Sequence, residues 1–205
     1  IAIPWLINLS NKWKLFDVPE GDALKIHNEH ISYLGGAALF LGIMGSAVLL
    51  IATLSLYRLE LAGFVSAALL LFGLGLWDDI KWKHISQARP YFKFGLLIIV
   101  PLLAATFVSL SGLEITAGVL LLTILVIAFY IFVFINALNY QDGMDGLAGS
   151  LSILSFGAFA FIGLMTQNML VTGISFALLG TVLAFLLFNF PPARIFMGDS
   201  GAYVL

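Results

Sequence analysis

Six stretches free of charged residues, each long enough to cross a bilayer, constrain this chain more than any other feature. They cover residues 34–56, 61–77, 94–112, 115–135, 147–165 and 170–190. A membrane-crossing helix needs roughly 17–25 residues of this character. The runs are uniformly apolar rather than alternating, which excludes barrel strands. In lipid a helix satisfies its own backbone groups, so a helical bundle is the remaining solution. Composition agrees: of 205 residues, 61% are hydrophobic and 10% charged. A soluble domain carries about 25% charged residues, and this chain could not cover itself in water. The expected fold class is therefore all-α, a polytopic transmembrane bundle with six full spans and partial terminal segments. Residues 1–10 read as the tail of a seventh span. Pro101 interrupts the third run and predicts a kink that neighbouring helices can accommodate.

Residues 1–205 read as a single transmembrane domain. The apolar opening Ile1-Ala2-Ile3-Pro4-Trp5 and the close on Tyr203-Val204-Leu205 read as a piece of a longer chain lacking its N-terminal start and its C-terminal part. A net charge of −2 leaves no basic footprint for nucleic acid. With no cysteine, disulfides, thiolate zinc sites and cysteine nucleophiles are excluded.

Alternating the spans assigns loops 11–33, 78–93, 136–146 and 191–203 to one side. That side holds eight of the nine Lys and Arg residues, which makes it cytoplasmic by the positive-inside rule. It also holds nine of the eleven Asp and Glu residues and all three His. The positive-inside rule does not require acids to follow bases. A polar site on that face is expected, with longer loops as the plainer explanation.

Three segments there have the residue types for chemistry. Asp78-Asp79 follows a span directly. Adjacent carboxylates repel and call for a cation, which a divalent metal or Lys81, Lys83 or Lys93 would supply. Asn136, Asn139, Asp142 and Asp145 recur at three-residue spacing, along one side of a helical path; Asp145 could otherwise be a plain N-cap for the helix starting near Leu147. Asp199 lies between glycines after Pro191-Pro192, in a sequence that is also ordinary turn chemistry. Oxygen donors without Cys favour a hard cation such as Mg²⁺, which uses one or two carboxylates plus substrate phosphates. Such a set suits phosphoryl transfer. His27 and His30 read as interfacial or phosphate contacts. Gly35, Gly36, Gly42 and Gly45 read as close helix packing, and Trp5, Trp13, Trp77 and Trp82 as interfacial anchors. An ion-coupled transporter is a weaker alternative, because it would place ionisable groups mid-membrane and the six runs have none. A non-catalytic membrane scaffold is a third reading.

Six motifs, in order, resemble the polyprenyl-phosphate N-acetylhexosamine-1-phosphate transferases. They are Asp17-Val-Pro19 with Lys25-x-His27; Leu34-Gly35-Gly36; Gly75-Leu-Trp-Asp78-Asp79; Arg89-Pro90-x-x-Lys93; Asn136-x-x-Asn139-x-x-Asp142-Gly-Met-Asp145-Gly-Leu-Ala; and Asn189-Phe-Pro-Pro-Ala-Arg-Ile-Phe-Met-Gly-Asp199-Ser-Gly. The resemblance covers essentially the whole chain. It implies a Mg²⁺-dependent enzyme (Mn²⁺ as an alternative) of the inner, plasma membrane, acting at the cytoplasmic face. The enzyme would move a sugar-1-phosphate from a UDP-sugar to polyprenyl phosphate and release UMP. It implies catalytic roles for Asp78, Asp79 and Asp199, and metal ligation by Asp199 and Asn139. Substrate contacts would come from Lys25, His27, Lys93, Asn136, Asp142 and Asp145. The implied partners are the donor, the acceptor and the bilayer, with homodimer formation left open. The segment before Gly35 lacks the Thr-Pro-Thr-Met-Gly-Gly-like stretch of the muramoyl-pentapeptide branch, which points to a simpler N-acetylhexosamine donor.

Overall fold

The computed structural model describes residues 2–13, 16–17, 31–82, 90–112 and 117–205. Helix α1 (Ala2–Trp13) is followed by a short antiparallel pair, β1 (Phe16–Asp17) and β2 (Ile31–Ser32). Then come α2 (Gly35–Thr53), α3 (Arg58–Trp77), α4 (Pro90–Gly112), α5 (Ala117–Gln141), α6 (Leu147–Met165), α7 (Met169–Asn189) and the short α8 (Gly198–Val204). Six of these helices are long and apolar enough to span a membrane, and the protein is a multi-pass membrane bundle.

The spans fall where the apolar runs predict, with two extensions. The second runs from Ser55 to Ile80, because charged residues at a helix end need not leave the helix. Glu60 stands in the first turn of α3, where the helix dipole favours an acid. Beyond Trp77 the chain keeps coiling as a π-helical turn, Asp78–Trp82. The fourth span also outruns its apolar stretch: α5 continues through Asn136 and Asn139 to Gln141. The Asn136 amide donates back to the Phe132 carbonyl (2.7 Å), which keeps a polar side chain satisfied inside the helix. Helix α4 passes through Pro101, which is fully buried.

Sequence neighbours α3–α4, α4–α5 and α6–α7 pack along one another, while α2 packs on α7. Many large apolar side chains, such as Phe129 and Phe134 on α5 and Leu154 and Phe161 on α6, stay on the outside. That outward face suits lipid rather than water. The interior is closed by α8, which wedges between α2, α3 and α5. Leu39, Phe185, Ile195 and Met197 are buried around it.

Glycines make the wedge possible. A Cβ on Gly75 would lie 2.5 Å from the Asp199 carbonyl oxygen, and one on Gly36 would meet Ser200 and the Gly201 amide. Small residues let helices approach to backbone contact. The glycines grouped in the sequence divide here: Gly35 and Gly36 face the 196–201 segment, Gly42 faces Thr181 of α7, and Gly45 faces open space. Gly75→Ala should therefore destabilise the protein by about 1–3 kcal/mol through overpacking, whereas Gly45→Ala should stay within about 0.5 kcal/mol. Thermal unfolding of both variants in detergent checks the contrast.

Candidate active site

The site forms where the end of α3, the start of α4, the end of α5 and the 189–200 segment meet. Pro90 opens α4, a position where its missing N–H costs nothing, and Lys93 lies in that first turn. After α5 the chain turns at Asp142–Gly146. Gly146 takes a left-handed conformation (φ +73°) that glycine adopts without penalty. Helix α6 then begins with no side-chain cap, so Asp145 is not the N-cap its position suggests.

Asp145 instead accepts a bond from the Ala193 amide across the site (3.1 Å). Asp142 accepts from the Gly198 amide (3.1 Å). Asp79 accepts from the amides of Asp199 (3.0 Å) and Ser200 (2.9 Å), one on each oxygen. The first N–H groups of a helix have no partner within it, and the carboxylate of Asp79 satisfies two of them at the start of α8. Asn189, itself buried, completes the framework. Its amide oxygen accepts from Gly146 N (3.0 Å) and its amide nitrogen donates to the Ile195 carbonyl (2.9 Å). On the other flank, Phe196 N donates to the Ser32 carbonyl (2.8 Å) and Gly35 N to the Phe196 carbonyl (3.1 Å).

Inside this framework lie the groups that face one another. Lys93 pairs directly with Asp78 Oδ2, and its Nζ is 3.9 Å from Asp199 Oδ2. Asn139 donates from Nδ2 to Asp199 Oδ1. Tyr203 donates its hydroxyl to Asp78 Oδ2 (3.1 Å). Burial pushes the Asp199 carboxyl from 3.8 up to about 7, aided by its hydrogen bond to Asp78 and the charges of Asp78 and Asp79, and opposed by Asn139. Burial, then the charges of Asp199 and Asp78, pushes the Tyr203 hydroxyl far above its ordinary value, so it acts as a donor.

Asp78, Asp79, Asn139, Asp142, Asp145, Asp199 and Lys93 thus come to one end of the bundle. Asn136 does not join them, since its amide is spent on its own helix. Lys25, His27 and His30 lie outside the described residues. Among those described, no three Asp, Glu or His side chains converge in metal-binding geometry. The acids that look like ligands in the sequence are divided: Asp79, Asp142 and Asp145 bond to backbone N–H groups, while Asp78 and Asp199 face each other. Lys93 pairs with Asp78 and comes within 3.9 Å of Asp199. Sequence reading passes over Tyr203, treating it as the start of an apolar run. Its four-residue spacing from Asp199 on a helix, which puts both on one face, is the signal that finds it.

The chain matches the family model described as Glycosyl transferase family 4 over residues 61–205. It is 31% identical to a phospho-N-acetylmuramoyl-pentapeptide-transferase of Listeria monocytogenes, over its whole length and 68% of that protein. It is 37% identical to one of Lactobacillus acidophilus over 64% of this chain and 44% of the relative. It is 28% identical to a probable undecaprenyl-phosphate N-acetylglucosaminyl 1-phosphate transferase of Bacillus subtilis, over 94% of this chain and 53% of the relative. The chain thus spans less than half the length of the Lactobacillus relative.

A carboxyl whose pKa is raised by folding adds stability that is complete below its unfolded value and lost as pH rises through its folded value. For Asp199 that window runs from 3.8 to about 7. With chelator present, unfolding temperature should rise as pH is lowered through this range, and Asp199→Asn should flatten that rise. Asp79→Ala should instead cost about 1–3 kcal/mol near neutral pH, by stranding two amides. Melting curves of the three proteins across pH test both statements.

Proposed function

The chain belongs to glycosyl transferase family 4, and from that premise we propose that it carries the catalytic site of a phosphoglycosyl transferase. The reaction is transfer of N-acetylhexosamine-1-phosphate from a UDP-sugar to polyprenyl phosphate, with release of UMP. One observation supports this reading above the others: Asp78, Lys93, Asn139 and Asp199, from four separate segments, face one another at one end of a membrane bundle. A transporter would place such groups mid-span.

The bonds balance simply. An oxygen of the lipid phosphate forms a bond to the sugar-bearing phosphorus of the donor. The phosphoanhydride bond to UMP breaks, and UMP leaves with that electron pair. Two phosphate-bearing substrates meet here, so positioning and charge neutralisation are the main tasks. Lys93, about one-third exposed, is the cation that can turn from Asp78 to a phosphate oxygen. Asp78 sits beside the acceptor phosphate and takes its proton when that phosphate arrives singly protonated. Asp79, Asp142 and Asp145 are positioning residues, because each bonds a backbone amide of the segment that presents Asp199.

The donor set fits Mg²⁺, or Mn²⁺ in its place. Asp199 and Asn139 offer hard oxygens, and burial together with the neighbouring Asp78 and Asp79 raises the Asp199 carboxyl, a setting that a cation would relieve. Mg²⁺ needs only one or two protein carboxylates when phosphates and waters complete its shell. When bound, it would neutralise charge on the phosphate oxygens. The crowding of Lys and Arg on the loops at this end supports a cytoplasmic orientation for the site. The segment preceding Gly35 favours a simple UDP-N-acetylhexosamine over a muramoyl-pentapeptide donor, although relatives are named for both.

The full-length protein should convert polyprenyl phosphate to a lipid-linked sugar diphosphate with release of UMP, given Mg²⁺ and UDP-N-acetylglucosamine. UDP-N-acetylmuramoyl-pentapeptide in a parallel reaction decides the donor branch. Asp199→Asn should lower turnover by about 10²-fold or more while the protein stays folded. A folded full-length protein inactive with every UDP-N-acetylhexosamine would overturn the assignment.

A further inference from the structure

Tyr203 is a buried residue, 3% exposed, packed in the same core as Leu74, Leu97 and Val204. Packing alone would be served as well by phenylalanine. A hydroxyl taken out of water without a partner costs free energy, so the hydroxyl here needs another account. It has a specific partner: it donates to Asp78 Oδ2 at 3.1 Å, in a buried environment. The same oxygen takes the ammonium of Lys93. Asp78 is itself only 7% exposed. Its carboxylate is thus gripped at one oxygen by two donors from different helices, α8 and α4. Leu74 and Trp77 of α3 and Leu96 and Leu97 of α4 line the same crevice as Asp78, Lys93 and Tyr203.

The two donors differ in kind. Lys93 is long and partly exposed, and phosphate competes for its charge. Tyr203 is fixed by the core and carries no charge to be drawn away. When Lys93 turns to a phosphate, Asp78 loses its cation. It still faces the carboxyl of Asp199, with which it shares a hydrogen bond. Tyr203 is then the uncharged, core-anchored donor still held on Asp78 Oδ2.

We propose that Tyr203 is a positioning residue, holding Asp78 in its reactive orientation while Lys93 is engaged by substrate phosphate. The proposal rests on the transferase reading above, and deepens it by naming the group that keeps the carboxylate in place during turnover. Loss of one hydrogen bond to a charged group is expected to cost about tenfold or more in rate. The effect is expected on kcat, since Tyr203 would act through Asp78, the group its hydroxyl bonds.

The test is Tyr203→Phe in the full-length protein, with three readouts. The first is kcat and KM for donor and acceptor. The second is unfolding temperature. The third is carbodiimide modification of Asp78, mapped by peptide mass spectrometry at a temperature where both proteins are folded. The expected result is a kcat lowered about tenfold or more, both KM values within about twofold, and faster modification of Asp78. A kcat per folded molecule within about twofold of wild type, or a fall confined to the folded fraction, overturns the proposal. If the wild-type protein transfers no sugar phosphate, the transferase reading fails, and the labelling decides the rest. Faster modification in Tyr203→Phe then keeps Tyr203 as the group that holds Asp78, and unchanged modification removes it.

Discussion

The backbone amides at the start of α8 point away from the helix they begin, and they have to be satisfied somewhere. In this protein aspartates from other helices do it. Asp79 at the end of α3 takes two of them, and Asp142 after α5 takes the Gly198 amide just before. Everything chemically interesting at this end of the bundle follows from that arrangement. The bonds seat α8 between α2, α3 and α5, and the glycines of α2 and α3 let it sink to backbone contact. Asp199 then has one place to be, beside Asn139 and within reach of Lys93. Without those bonds the 189–200 segment would be a loop above a helical bundle.

The same arrangement separates two populations of acid that look alike on paper. Carboxylates bonded to amides are neutralised by dipoles and do structural work. Asp199, bonded to an amide side chain and crowded by Asp78 and Asp79, is left with a surplus of negative charge in a buried place. A buried charge is tolerated only when paired. Lys93 supplies part of the pairing, and in the proposed reaction a divalent cation with its phosphates would supply the rest. On the transferase reading proposed above, this division is a physical reason why a phosphate-handling site can be built almost wholly from aspartates and asparagines.

Much of the architecture was legible in the sequence. Length and apolarity locate six helices almost by themselves, because lipid leaves the backbone no alternative to internal hydrogen bonding. The one-sided crowding of acids also pointed to the end of the bundle where Asp78, Asp79, Asn139, Asp142, Asp145 and Asp199 gather, and the glycine pair at 35–36 to close packing. What could not be read was how each acid is used. Asp79 and Asp199 carry the same side chain, and only the fold shows that one bonds amides and the other faces a carboxylate. Asn136 and Asn139 share a helical stripe, yet one bonds its own helix and the other reaches α8. Tyr203 was hidden for the opposite reason: in an apolar run a tyrosine counts as one more hydrophobic residue, and its partner is 125 positions away.

The seating of α8 has a mechanical consequence. Seven residues long, this helix is far too short to hold itself at a given depth in the bilayer. Its height is set by the spans it is bonded to. The carboxylate–amide bonds from Asp79 and Asp142 fix its position against α3 and the end of α5. The spacing between the Asp199 carboxyl and Lys93 on α4 is thereby a property of how three spans pack, and the short helix that carries the acid has no independent say in it.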